Sequence, residues 1–182
     1  AGQSKRIKYE NKLVKRYKKT PLINHSLKVL HKSKVNKVII VLGHQHKEVK
    51  KIIFKNKKNI FIYNKDYKKG MASSIKAGLK KIARNDKGFI VVQSDMPFIK
   101  ASDINKIYNS IKLKKFLVYV LKFKNKIGNP IGFDISLTKK FKKIKGEYGA
   151  KFMVKRLKNR TSFINVNSSK VFKDFDLKRD FN

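Results

Sequence analysis

The sequence contains no cysteine, which excludes disulfides, thiolate metal sites and a cysteine nucleophile. No apolar run comes near the roughly 20 residues that cross a bilayer, and the N-terminus does not look like a secretory signal. A cytoplasmic protein with no membrane partner is therefore expected. Neither a P-loop nor a GxGxxG fingerprint occurs, and no Ser-His-Asp order accompanies a nucleophile-elbow glycine pattern. Acidic residues number only 11 of 182. A carboxylate at the end of an apolar strand is thus a candidate for chemistry, because an acid there is expensive to bury unless it binds something.

Basic residues dominate what is present: 42 lysines and 6 arginines give a formal net charge of +37. The lysines are spread through every segment, asparagine (15) and isoleucine (20) are abundant, and alanine (6) is scarce. That combination reads as a composition-wide bias with lysine as the generic surface residue. Dedicated nucleic-acid recognition calls for arginine-rich patches with interleaved exposed aromatics. A basic nucleic-acid-binding domain, drawing affinity from counterion release, therefore ranks below a protein whose field simply favours anionic ligands. With 41% hydrophobic residues, the chain can bury the core of one domain over residues 1–182.

Apolar runs alternate with helical spacing. Thr20-Pro21 reads as N-cap and first position of a helix carrying Leu22, Ile23, Leu27 and Leu30. Val38 to Leu42 is a continuous strand ending at Gly43, as suits a strand covered on both faces. Val49, Ile52 and Ile53 mark a short helix, and Ile60 to Tyr63 a second strand. Ala72, Ile75, Leu79 and Ile82 mark a helix, and Phe89 to Val92 a third strand. Ile104, Ile107, Tyr108 and Ile111 repeat the helical period after Ser102 as cap. Phe116–Phe123 and Pro130–Phe133 are further strands. A helix over Lys151–Leu157 precedes a last strand pair near Ser162–Val166 and Lys170–Phe172. This alternation predicts an α/β sandwich with a largely parallel sheet. Ala1 to Arg6 reads as a loop that a strand should feed, so a short apolar strand before Ala1 is expected in the natural product.

Four segments fall at the expected C-terminal ends of strands, where open α/β sheets bind ligands. Ala1-Gly2-Gln3-Ser4-Lys5-Arg6, with Lys12 beyond, can wrap and neutralise phosphates or be an ordinary turn. Gly70-Met71-Ala72-Ser73-Ser74 opens a helix, so its amides and hydroxyls suit a phosphate, a base edge or plain capping. Asp95, in Ser94-Asp95-Met96-Pro97-Phe98, is a candidate Mg²⁺ ligand or a turn cap. Gly128-Asn129-Pro130 is the fourth, paired with Asp174 and Asp176, which either complete a cation site or cap a solvated terminus. His44 and His46 flank Gln45 after a strand, but no third ligand supports zinc. His25 and His31 are placed on the first helix without partners.

Taken in order, these segments resemble the MobA/MocA-like nucleotidyltransferases. Ala1 to Arg6 with Asn11-Lys12-Leu13 is similar to the second half of an LAAGxSxRMGxxK signature, with Ile7-Lys8 in place of Met-Gly. Thr20-Pro21-Leu22-Ile23, Gly70 to Ser74, Asp95-Met96-Pro97-Phe98 and Gly128-Asn129-Pro130 follow in the family's order. Gly146-Glu147-Tyr148-Gly149-Ala150 stands where GDxGA is common, and Asp174 to Asp180 where DxDTPxD is. The resemblance implies a GT-A-like Rossmann-type fold, a three-layer α/β/α sandwich with a mostly parallel sheet. It is nearest to the molybdenum cofactor cytidylyltransferases, because an Ala-Gly loop start accompanies cytidine enzymes.

That family implies Mg²⁺-dependent transfer of CMP from CTP to molybdopterin, with a downstream molybdoenzyme as a further partner. On this sequence Ala1, Gly2, Ser4, Gly70, Ser73 and Ser74 would hold the nucleotide. Arg6 and Lys12 would balance its phosphates, Asp95 with Asp174 or Asp176 would hold the metal, and Gly128, Asn129 and Pro130 would face the acceptor. Another phosphorylated acceptor (a sugar phosphate or phosphocholine), GTP in place of CTP, or a non-catalytic relative are the alternatives.

Overall fold

A computed structural model describes residues 11–181; the loop Ala1–Arg6, with its four site candidates and the strand expected before it, lies outside them. The chain runs β1 (Arg16–Tyr17), β2 (Thr20–Pro21), α1 (Leu22–Lys32), β3 (Val38–Leu42), α2 (His46–Ile52), β4 (Asn59–Tyr63), α3 (Met71–Leu79) and β5 (Gly88–Val91). It continues with α4 (Ala101–Leu113), β6 (Val118–Phe123), β7 (Lys126–Asp134), α5 (Thr138–Phe141), α6 (Ala150–Arg156) and β8 (Thr161–Asn165).

Strand alternation builds the layers. In β6, Val118 and Val120 enter a core with Ile131 and Phe133 of β7, Ala72 of α3 and Ala150, Met153 and Val154 of α6. The intervening Tyr119 and Leu121 enter the opposite core with Ile104, Ile107 and Ile111 of α4. Side chains two apart share a face of a strand, so one strand serves both cores and helices cover the sheet on both sides. In the same way Val38, Ile40 and Leu42 of β3 pack on Ile23 and Leu27 of α1 and Val49 of α2. The other face of β3 meets α3, where a Cβ on Gly78 would stand 3.3 Å from Val41 Cγ2.

The larger sheet has the order β5-β7-β6-β8, and β3 pairs with β4 in parallel. β7 runs against both of its neighbours, β5 and β6, while β8 is parallel to β6. Thus β5, β6 and β8 share one direction and β7 alone opposes them. The three-layer, GT-A-like α/β architecture is the expected one.

Several local readings are corrected. Thr20-Pro21 does not open α1 as cap and first turn. It forms β2, paired with β1 through a turn at Lys18 and Lys19, and Pro21 itself occupies the cap position. Ser102 lies inside α4; the helix starts at Lys100, whose amide donates to Asp103 Oδ2 at 3.0 Å. Ser102 falls two residues past the cap position, and the carboxylate three residues beyond Lys100 captures the cap amide instead. Residues 170–172 belong to a 3-10 turn, Ser169–Phe172, where Ser168 Oγ accepts from the Lys170 amide at 3.2 Å. That turn buries Val171 against Met96 and Leu121, and β8 finds its partner in β6. Helix α3 stops before Ile82. His25 and His31 do have partners: Nε2 of His25 lies 2.9 Å from Tyr17 O, and that of His31 2.6 Å from Asn59 Oδ1.

Candidate active site

Lys12 is positioned by a turn beginning at Asn11. The buried Asn11 accepts from Leu13 N through Oδ1 at 3.1 Å and from Val14 N through its carbonyl at 2.9 Å. Amides of Leu22 and Ile23 then donate to Lys15 O and Leu13 O, fastening this segment to the start of α1. Asp95 leaves β5 in a turn flanked by the buried Met96 and Ile99. The Ser26 hydroxyl of α1 lies 3.3 Å from Ser94 O and 3.4 Å from Met96 O, so α1 holds this turn as well.

The C-terminal segment completes the site. Phe175 is 1% exposed, and its amide donates to Asp95 O at 2.9 Å. Its ring meets Tyr17 at 4.8 Å, Phe98 at 5.7 Å and Phe181 at 5.3 Å. This aromatic cluster ties together the segment after Lys12, the turn after Asp95 and the chain end, and places Asp176 beside the other two. Asp180 Oδ2 accepts from the amides of Asp176 and Leu177, both at 2.9 Å, fixing the backbone that carries the Asp176 carboxylate.

These supports converge on one bridge. Lys12 Nζ donates to Asp95 Oδ2 at 2.6 Å and to Asp176 Oδ1 at 2.7 Å. The side chains are 16%, 14% and 31% exposed for Lys12, Asp95 and Asp176, so the pairs are only weakly screened by water. Burial alone would lower the Lys12 pKa, but the Asp95 and Asp176 carboxylates outweigh it and raise it above its ordinary 10.5. Asp180 titrates below its ordinary 3.8, held there first by the Leu177 amide. Asp95 Oδ1 is buried without a hydrogen-bond partner. Such an orphan is costly unless something satisfies it.

Two opposed carboxylates already spanned by one cation, with a buried oxygen left over, fit a divalent cation. Among the described residues no cluster of three or more His, Asp or Glu side chains occurs. Asp95 and Asp176 are the two carboxylates that would hold such a cation, with phosphate oxygens and water to complete its shell. Of the two terminal candidates, Asp176 reaches the bridge, while Asp174 is exposed.

Gly70, Ser73 and Ser74 sit at the start of α3. Gly70 has φ +92°, and a Cβ there would come 2.5 Å from Gly146 O. The first amides of the helix are taken up internally, Met71 N by Glu147 Oε2 at 3.3 Å, Ala72 N by Gly146 O at 3.0 Å and Ser73 N by Gly70 O at 3.2 Å. Asn64 Nδ2 lies 2.9 Å from Ser73 Oγ and 3.2 Å from Ser74 Oγ. These contacts join the glycine turn to the end of β4 and the 146–147 loop, and none of them involves Lys12, Asp95 or Asp176.

Gly128, Asn129 and Pro130 lie within β7. Leu121 pairs with Gly128 and Val120 with Ile131, so Asn129 and Pro130 bulge out of the ladder; the bond between them is cis. Buried Asn129 donates through Nδ2 to Gln93 Oε1 at 2.6 Å, and its own Oδ1 has no partner. Gln93 lies two residues before Asp95, so the bulge adjoins the strand that delivers the acid. Bulges commonly re-aim a side chain next to a functional site.

Sequence reading missed Asn11, Gln93 and Asp180 as supports. Only Asp180 carried a signal, as the last acid of the terminal Asp-rich segment. His44 and His46 contact aromatic rings, at 6.1 Å to Tyr67 and 4.2 Å to Tyr63.

The chain belongs to the MobA-like NTP transferase domain family, whose sequence profile matches residues 1–161, and it is a nucleotidyltransferase of that family. Solved structures share its fold. Rv0371c from Mycobacterium tuberculosis H37Rv superposes with a TM-score of 0.84 at 18% identity, over 100% of this chain and 92% of that one. The manganese complex of that mycobacterial protein gives 0.74 at 14%, over 88% and 84%. A 4-diphosphocytidyl-2C-methyl-D-erythritol synthase from Anaerococcus prevotii gives 0.73 at 13%, over 91% and 85%.

Proposed function

We propose that this chain transfers CMP from CTP to molybdopterin, with release of pyrophosphate, and that Mg²⁺ is the metal. The observation that carries the metal-dependent reading is the Lys12 bridge, which gathers three candidates from positions 12, 95 and 176 into one partly buried cluster. The choice of CTP is supported by Ala1-Gly2 at the start of the loop, and that of molybdopterin by the order of the motifs.

The reaction joins two anions. An oxygen of the acceptor's terminal phosphate forms a bond to the nucleotide α-phosphorus, and the bond from that phosphorus to the pyrophosphate breaks. Positioning and charge neutralisation supply most of the rate, since no protein nucleophile is needed. Asp95 and Asp176 would hold the cation, which when bound polarises phosphate oxygens and offsets the charge that develops on them. Lys12 and Arg6 would balance the leaving pyrophosphate, while Gly2 and Ser4 wrap the triphosphate. Gly70, Ser73 and Ser74 would hold the nucleoside. Asn129, in the bulge beside Gln93, would present its unpaired carbonyl oxygen on the acceptor side.

The test is pyrophosphate release by the full-length protein with CTP, GTP or ATP against molybdopterin, a sugar phosphate or phosphocholine. Release with CTP and molybdopterin above every other pair is expected. Preference for another acceptor, or for GTP, replaces the substrate assignment and keeps the transferase; no release with any pair makes the chain a non-catalytic relative.

A further inference from the structure

Lys12 occupies the space between Asp95 and Asp176 that a divalent cation held by both carboxylates would enter. Its Nζ is 2.6 Å from Asp95 Oδ2 and 2.7 Å from Asp176 Oδ1. Mg²⁺ binds oxygen at about 2.0–2.1 Å, so a metal bridging the same two oxygens and this ammonium would overlap, two positive charges in one place. One must leave for the other to enter. We infer that Lys12 and the divalent cation are exchangeable occupants of one position, and that the triphosphate drives the exchange by offering the Lys12 ammonium a second set of anionic oxygens. This inference rests on the transferase reading above.

The surroundings suit such an exchange. Lysine is a compact charge on a flexible four-carbon stem, so its ammonium can swing while the backbone stays in place. The Asn11 turn holds that backbone, with Leu13 N on Asn11 Oδ1 at 3.1 Å and Val14 N on Asn11 O at 2.9 Å. The carboxylates are held independently of the lysine: Phe175 N donates to Asp95 O at 2.9 Å, and Asp176 N to Asp180 Oδ2 at 2.9 Å. Departure of Lys12 therefore removes the cation shared by Asp95 and Asp176, with the buried, unpartnered Asp95 Oδ1 as a further ligand atom. Two carboxylates so placed attract a dication strongly, and while Lys12 remains it offsets part of their charge and occupies the space between them.

The consequence is a coupling between ligands. Without a triphosphate, Lys12 competes with the metal; with one, the competitor has a better place to be. Each ligand then raises the affinity for the other by the same factor. Metal bound without nucleotide is kept scarce, and the metal site assembles together with its substrate.

Mn²⁺ binding measured by electron paramagnetic resonance, with no nucleotide present, tests this on variants that melt cooperatively. Lys12→Met and Lys12→Gln should each bind Mn²⁺ about tenfold tighter than wild type, the scale of one charge-assisted hydrogen bond no longer opposed. Lys12→Arg, which keeps a cation between the acids, should stay at the wild-type value. Adding Asp176→Asn to Lys12→Met should erase the gain. Unchanged or weaker Mn²⁺ binding in both Lys12→Met and Lys12→Gln overturns the exchange, as does a gain that survives Asp176→Asn. Pyrophosphate release by the wild-type protein is read separately, so loss of the transferase reading and loss of the exchange are told apart.

Discussion

Lys12 is a group on which burial and charge act in opposite directions, and the carboxylates win. A lysine whose pKa is raised on folding contributes stability that is fully present below the unfolded value and fades as the pH rises through the folded one. The melting temperature of wild type should therefore exceed that of Lys12→Met below pH 10.5, with the gap closing above it. A gap independent of pH to well above that point would remove the ion pair as its source. Asp95→Asn should lower nucleotidyl transfer at least about 100-fold, more than loss of a supporting contact normally costs a metal site. Its circular dichroism should stay close to wild type while its melting temperature falls as in Lys12→Met, since both lose the same ion pair, and retained turnover would take Asp95 out of the metal role. Asp180 acts through Asp176, as a positioning residue. Asp180→Ala should weaken Mn²⁺ binding about tenfold, and Asp180→Asn, whose carbonyl can still accept from both amides, should restore it. Equal losses in the two variants would argue for a general structural role. Legibility at this scale followed from scarcity: with 11 acids in the chain, Asp95 after an apolar strand stood out. The choice of Asp176 over Asp174 was not legible, because it depends on which of two neighbouring acids the buried Phe175 turns toward Lys12.

Elements with strong periodicity were readable from sequence, and elements made by pairing were not. Val38–Leu42 and the Ile104, Ile107, Ile111 face of α4 appear as expected because their burial is written in their spacing. The β1–β2 hairpin carries no such signal. Its two-residue turn places Lys18 at φ +46° and Lys19 at φ +63°, where Asn-Gly is the usual choice. The strain is accepted because the hairpin brings Tyr17 onto Phe175 and Phe98. Lys19→Gly should therefore stabilise the protein by about 1 kcal/mol, read as a higher denaturant midpoint with unchanged slope. Helix α4 lies so close on β7 that a Cβ at Gly132 would overlap Ile107 Cγ2. Ile107 is fully buried and has little room to yield, so Gly132→Ala should destabilise by about 1–3 kcal/mol. No loss of stability there would contradict the tight α4–β7 contact.

Over the whole molecule, a net charge of +37 must give affinity for any polyanion. That affinity should fall steeply with salt and be the same in Asp95→Asn as in wild type. A specific, salt-resistant complex with one nucleic-acid sequence would instead restore the nucleic-acid reading. Among the described residues no helix is long and apolar enough to cross a membrane. The chain's own letters determined the α/β alternation, the apolar strands and the few acids worth watching, because hydrophobic period and residue scarcity are local properties. Tertiary structure decided the rest: that β7 opposes its neighbours, that Asn129 and Pro130 bulge beside Gln93, and that residues 12, 95 and 176 share one bridge. Those outcomes depend on long-range pairing and on an aromatic cluster assembled from three distant segments, and a spacing rule confined to neighbouring residues has no term for either.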